Sequence, residues 1–151
     1  MCYIQCCTGK YVKHVQGGNI MDFVPLIGRI LFSVIFIMNG LNHFTSLGDM
    51  TAYAEAMGVP LPTLAVIITG IMMLLGGLSI LLGYKAKIGA ILLIVFLIPT
   101  AFIMHSFWAF DDPQRAQVEM AQFLKNIAMA GGALFFLYFG SGPKSIEKKE
   151  E

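Results

Sequence analysis

Few side chains in this chain are able to do chemistry, and most of them lie at the ends of long apolar runs. His43 ends one run and His105 ends another, while Glu119, Gln122 and Asn126 open a third. The last three are spaced i, i+3 and i+7, which places them on one face of a helix. Imidazole titrates near neutrality, so two histidines beside a carboxylate and amides suit proton transfer or the hydrogen bonding of a carbonyl.

A second polar feature lies inside the apolar run 28–44. At about 100° of turn per residue, one stripe of this run carries Arg29, Ser33, Phe36, Gly40 and His43. A charge in hydrocarbon is costly, so Arg29 is expected to face the protein interior or to reach the headgroups. The stripe predicts the inner wall of a helix bundle, with a structural Arg29 that either has no ligand or binds an anion or headgroup.

The composition defines the broad class of the protein. Of the 151 residues, 57% are hydrophobic and only 13% are charged, and the mean hydropathy is +0.75. Soluble domains carry about 25% charged residues, so this composition indicates an integral membrane protein in contact with the lipid bilayer. The net charge of +1 gives no support for a nucleic-acid partner, and four spans of about 20 residues each leave no room for a soluble catalytic module.

The apolar runs predict an all-α fold, a four-helix transmembrane bundle with a short interfacial helix between helices 1 and 2. The expected helices cover about 22–47, 63–83, 88–110 and 114–139, with the interfacial helix at 49–58 and a kink at Pro99. Residues 1–21 are expected to form an N-terminal cytoplasmic tail, residues 22–143 the membrane domain, and residues 144–151 a charged cytoplasmic C-tail.

The orientation follows from the basic residues. One side of the predicted bundle carries Lys10, Lys13, Lys85, Lys87, Lys144, Lys148 and Lys149, and the other only Arg115 and Lys125. Cytoplasmic loops are enriched in lysine and arginine. Both termini are therefore predicted to be cytoplasmic.

With this topology, the ends of helices 1 and 3 and the start of helix 4 meet near the outer surface. The polar residues at that depth are Asn39, Asn42, His43, His105, Ser106, Glu119, Gln122, Lys125 and Asn126. Facing helices of a bundle often build ligand sites. One interpretation is therefore a site whose histidines approach each other and bind a quinone. The other is that these residues satisfy one another at a wet interface.

No resident metal is expected. His43, His105, Met38 and Met104 offer imidazole and thioether groups that suit copper, but methionines in an apolar chain are usually core filler.

Five glycines are expected to allow close helix packing: Gly40, Gly76, Gly77, Gly131 and Gly132.

The three cysteines all lie in the first seven residues, at Cys2, Cys6 and Cys7. They form no C-x-x-C pair and precede no histidine at zinc-finger spacing. A thiol-bearing tail is the plainer interpretation, and a metal or redox site is the alternative. Met21 is a natural start for a membrane helix, so residues 1–20 are either part of the working protein or an upstream extension.

The ordered landmarks resemble the DoxX family of small four-helix membrane proteins, over about 22–147. They are Arg29, Gly40 to His43, Gly76-Gly77, Gly83, His105, Lys125-Asn126, Gly131-Gly132 and the ending Gly140-x-Gly142-x-x-Ser145-x-Glu147. The resemblance implies a redox-linked membrane subunit. Many family members carry a glutamate three residues before the glycine pair, where this chain has Met73. Any proton-carrying role of that carboxylate is absent from this position.

Three functions follow as hypotheses. The first is a membrane subunit of a redox system that binds quinone as a non-covalent cofactor or anchors an oxidoreductase partner. The second is a small-molecule transporter, since polar residues inside spans often mark a pathway. The third is a structural partner protein. A bacterial inner-membrane location is expected, and a homo-oligomer is compatible with each function.

Overall fold

The computed structural model describes residues 20–147 of the chain. A short 3-10 segment, Ile20–Phe23, leads into five α-helices. These are α1 Val24–Thr45, α2 Leu47–Ala56, α3 Pro62–Leu82, α4 Ala86–Met104 and α5 Pro113–Phe139, with a further 3-10 turn at Phe107–Ala109. Cys2, Cys6, Cys7 and the predicted tail 1–21, apart from its last two residues, lie outside the described residues.

Four of the helices, α1, α3, α4 and α5, are long and apolar enough to cross a membrane. A helix satisfies its own backbone hydrogen bonds, which is what a chain in lipid requires. The described residues contain no strand. The predicted all-α fold with four membrane spans and a short helix between the first two is therefore confirmed.

Local sequence explains where these helices begin and end. Pro113 occupies the first turn of α5, and the Asp112 carboxylate accepts a hydrogen bond from the Gln114 amide at 3.2 Å, an ordinary N-terminal cap. Gly83 ends α3 with a left-handed backbone, φ +64°. Pro99 lies inside α4, which continues past it to Met104.

The end of α4 and the start of α2 are among the helix boundaries that differ from the sequence prediction. α4 ends at Met104 rather than near 110, because His105 leaves the helical conformation (φ −123°, ψ 43°) and a separate aromatic turn follows. That turn packs Trp108 and Phe107 against Phe123 of α5, with ring centroids 5.9 and 5.6 Å away. The interfacial helix α2 starts at Leu47, two residues earlier than expected.

The spans pack in the order α1, α3, α4, α5, and α2 lies mainly against α3. We call the end of the bundle that carries the α3–α4 connection the turn end, and the opposite end, which carries α2, the α2 end. The core between the spans contains Phe36, Met73, Leu93, Leu97 and Ala133.

Glycines bring the spans together, as the sequence predicts for most of them. A Cβ atom would lie 2.8 Å from Leu74 Cγ if added to Gly40, and 2.7 Å from Leu93 Cγ if added to Gly76. A Cβ atom added to Gly77 would lie 3.1 Å from the Ile37 side chain, and one added to Gly132 would lie 3.0 Å from the Phe32 ring. Gly131 has nothing within 4 Å of its Cβ position, so it makes no close helix contact.

The segment after α5 folds back across the turn end. The amides of Ile146 and Glu147 donate to the carbonyls of Leu82 and Gly83 at 3.1 Å each, and the Glu147 carboxylate accepts from the Lys85 amide at 3.0 Å. The stretch 144–147, expected to be the start of a solvated tail, is thus hydrogen-bonded to the α3–α4 connection. We call 140–147 the C-terminal clasp.

Candidate functional site

A cavity of about 640 Å³ lies between the spans toward the α2 end. Its walls are mainly apolar and include Phe36, Met73, Phe96 and Met129. All four spans and α2 contribute to the lining. The polar residues on its wall are Asn39, His43, Tyr53, Thr69, Thr100, His105, Glu119, Gln122, Lys125 and Asn126.

The most polar part of the cavity is a histidine–carboxylate pair. His105 Nδ1 and Glu119 Oε2 are 2.8 Å apart, and the two side chains are only 15% and 11% exposed. His105 directly follows the last residue of α4, and its ring reaches across to α5. Glu119 lies in the second turn of α5. A carboxylate accepts from the Nδ1–H of such a pair, which leaves Nε2 for a ligand.

Tyr53 of α2 is a third member of this polar group. Its hydroxyl donates to the Met104 carbonyl at 3.3 Å, which ties α2 to the end of α4. Burial, and then the negative charge of Glu119, raise the pKa of the Tyr53 phenol. Sequence reasoning missed this residue as a site member. The available signal was its place on the apolar face of α2, offset from Asp49 and Glu55.

Further along α5, the cavity wall carries an amide and a cation. Asn126 is 4% exposed, and the Lys125 ammonium donates to the Gln122 side-chain carbonyl. Seven residues separate Glu119 from Asn126, which corresponds to about 10 Å along a helix at 1.5 Å per residue. The polar groups of α5 therefore face the cavity at two depths.

His43 lies on the α1 side of the same cavity. Its Nδ1–H donates to the Asn39 backbone carbonyl at 2.8 Å, and the Asn39 side chain donates to the Ile35 carbonyl at 2.8 Å. Both histidines thus line one cavity, and each is hydrogen-bonded to a different partner. Nε2 of His43 is the nitrogen that remains for a ligand.

Two of the predicted site residues do not line the cavity. Asn42 is exposed, and its side-chain oxygen accepts from the Ser46 hydroxyl at 3.3 Å. Arg29 lies at the turn end, fully buried, where its Nη2 donates to the Lys144 carbonyl at 2.6 Å and to the Pro143 carbonyl at 3.3 Å. Arg29 therefore holds the C-terminal clasp and is separate from the cavity.

The four residues considered for copper do not all come together. His43, His105 and Met104 line the cavity, but Met38 does not and is 63% exposed. Among residues 20–147, no group of three or more histidines, cysteines or carboxylates is arranged to hold a metal ion. Met73, at the position where the resemblance expects a glutamate, is a buried cavity wall residue.

The fold and the site define a small four-span integral membrane protein with an amphipathic cavity toward one end of its bundle. The DoxX family model matches residues 24–106, and this chain belongs to the DoxX family. It is 34% identical over 130 residues to the inner membrane protein YqjF of Escherichia coli, covering 84% of this chain and 92% of that protein.

A second relative supports the same assignment. The inner membrane protein YphA of Escherichia coli is 31% identical over 138 residues, which cover 91% of this chain and 98% of that protein. No solved structure matches the chain significantly. The family and the four spans together make this chain a multi-pass membrane protein, similar throughout the bundle to proteins of an inner membrane.

Proposed function

We propose that this protein is a quinone-binding subunit of a redox system in a bacterial inner membrane. The quinone ring would occupy the cavity, and a partner oxidoreductase would exchange electrons with it. The observation that carries the proposal is the His105–Glu119 pair, 2.8 Å apart and mostly buried, at the edge of a mainly apolar cavity of about 640 Å³. Pockets for small molecules commonly measure about 300–1,000 Å³.

The distribution of polar groups also fits a quinone. A para-quinone has two carbonyl oxygens on opposite edges of an apolar ring, so its site needs donors in two places and apolar walls between them. His105 Nε2 is one donor, when that nitrogen is protonated. The Asn126 amide, about two turns beyond Glu119 on α5, is the other donor. Phe36, Met73 and Phe96 supply apolar wall.

The pair gives the site a proton acceptor and donor. With Nδ1 hydrogen-bonded to the Glu119 carboxylate, His105 keeps Nε2 available to take up or release a proton. Proton exchange with a quinol hydroxyl needs such a group within hydrogen-bond reach. Redox-linked proton exchange is the chemistry that distinguishes this proposal from a transporter or a purely structural protein.

Quinone retention tests the proposal. Protein in lipid nanodiscs is equilibrated with decylubiquinone, and the bound quinone is quantified by chromatography after subtraction of empty nanodiscs. Because a hydrogen bond involving a charged group contributes about 1.5–3 kcal/mol, His105→Ala should weaken binding by about tenfold or more. Asn42→Ala, which changes an exposed amide outside the cavity, is the matched control.

Two results would reject the proposal. The first is a wild-type protein that retains no more quinone than empty nanodiscs. The second is a His105→Ala protein that binds as tightly as Asn42→Ala.

A further inference from the structure

The contact between α3 and α4 is closest toward the turn end. A Cβ atom at Gly76 would lie 2.7 Å from Leu93, and one at Gly89 would lie 2.6 Å from the Ser79 hydroxyl. Both glycines lie within about two helical turns of the Gly83–Lys85 connection, at 3.6 residues per turn. Backbones that approach this closely leave no space for a ligand between these parts of the helices.

Toward the α2 end the same two helices line the cavity instead. Met72 of α3 and Val95, Pro99 and Ile103 of α4 all belong to the cavity wall. Val95 is nevertheless 56% exposed and Ile103 49% exposed, so each borders both the cavity and the outside of the bundle. We call this edge, formed by Met72, Val95, Pro99 and Ile103, the α3–α4 seam. Because α3 and α4 are membrane spans, the outside at Val95 is lipid hydrocarbon.

The opposite edge of the cavity has a different character. There α1 contributes Asn39 and α5 contributes Lys125, both exposed polar residues. Nearer the turn end, Phe32 of α1 closes this edge against Phe136 of α5, with ring centroids 5.1 Å apart. A hydrocarbon chain placed over an ammonium and an amide cannot hydrogen-bond them, so it gains less there than over apolar side chains.

From this contrast we infer that the ligand is an amphiphile whose hydrocarbon chain leaves the cavity through the α3–α4 seam into the bilayer. The inference rests on the proposed function and narrows it. The ring of a long-chain quinone lies in the cavity, and its chain passes between Met72 and Val95. All four seam side chains are apolar, so the chain gains apolar contact along its exit.

The test compares a quinone with a chain and one without, decylubiquinone and duroquinone, in the nanodisc retention assay. Val95→Trp narrows the seam. Its matched control is Ile91→Trp, one turn earlier on the same helix, because Ile91 is also exposed (48%) but does not line the cavity. Overpacking typically costs about 1–3 kcal/mol, so Val95→Trp should weaken decylubiquinone binding by about tenfold. Duroquinone binding should stay within about twofold in Ile91→Trp, and in Val95→Trp it should fall less than decylubiquinone binding does, since a headgroup alone does not occupy the seam.

The outcomes separate this inference from the proposed function. If the wild-type protein retains neither quinone, the proposed function fails. If it retains both and Val95→Trp binds decylubiquinone as Ile91→Trp does, the seam is wrong while the quinone site stands. An equal loss of both quinones in Val95→Trp also overturns the seam, because it would show damage to the cavity itself. Loss of decylubiquinone binding alone in Asn39→Trp would also overturn the seam, because it would place the exit of the chain at the opposite edge.

Discussion

Among the described glycines, Gly83 at the turn end is the one where an added methyl group would come closest to a neighbouring atom. Its backbone is left-handed, with φ +64°, and a Cβ atom there would overlap Nη1 of Arg29 and lie 2.5 Å from Ser145 Cβ. The substitution Gly83→Ala therefore strains the end of α3. It also pushes the buried guanidinium away from the Lys144 carbonyl that it contacts at 2.6 Å.

The size of the effect can be worked out from these contacts. A left-handed backbone costs a residue with a Cβ atom about 1–2 kcal/mol. Loss of a hydrogen bond from a charged group costs about 1.5–3 kcal/mol. Nε and Nη1 of Arg29 already have no hydrogen-bond partner among residues 20–147. A displaced guanidinium therefore gains few new hydrogen bonds to replace the one it loses. Together these terms predict a loss of about 2.5–5 kcal/mol in the free energy of unfolding.

Denaturant titration of the purified protein in detergent micelles measures this loss. Gly28→Ala is the matched control, since Gly28 is an exposed helical residue next to Arg29 with nothing within 4 Å of its Cβ position. Alanine is a better helix former than glycine by about 0.5–1 kcal/mol, so the control should be slightly stabilised. A Gly83→Ala protein as stable as Gly28→Ala would refute the reasoning about Arg29 and the C-terminal clasp.

Two further predictions concern Tyr53 and the orientation of the bundle. Burial and the charge of Glu119 raise the pKa of Tyr53 above its ordinary value of 10.0. The phenol of the unfolded chain thus ionises at lower pH than that of the folded protein, and wild-type stability should decrease as the pH rises above about 10. Tyr53→Phe should show a smaller alkaline decrease than the wild type in a thermal unfolding series, and identical pH profiles would contradict the assignment. On orientation, a cysteine introduced at 85–87 should be shielded from a membrane-impermeant thiol reagent in intact cells and one at 111–112 should be labelled; the reverse pattern would overturn cytoplasmic termini.

The sequence by itself determined the architecture. Lipid admits only segments that satisfy their own backbone, so the apolar runs had to become four spans, and the periodicity of the first run revealed its inner face. The buried residues of α1 are Arg29, Ser33, Phe36 and Gly40, four of the five on the predicted stripe. Helical spacing also placed Glu119, Gln122 and Asn126 together, and all three line the cavity.

Only the tertiary structure decided which polar residues share a site. Asn39 and Asn42 are both asparagines near the end of α1, yet one lines the cavity and the other is exposed outside it. Tyr53 joined the cavity because α2 folds over the bundle and its hydroxyl reaches the Met104 carbonyl, 51 residues further along the chain. Neither outcome is encoded in local spacing, since each depends on how a helix is rotated against its neighbours.

The turn end shows the same limit. Arg29 contacts carbonyls that are 114 and 115 residues away in sequence, and the C-terminal clasp reaches Leu82 and Gly83 through backbone amides that carry no side-chain signal. Periodicity reports which face of a helix is buried. It does not report which distant segment covers that face, because that contact is set by the packing of all the helices at once.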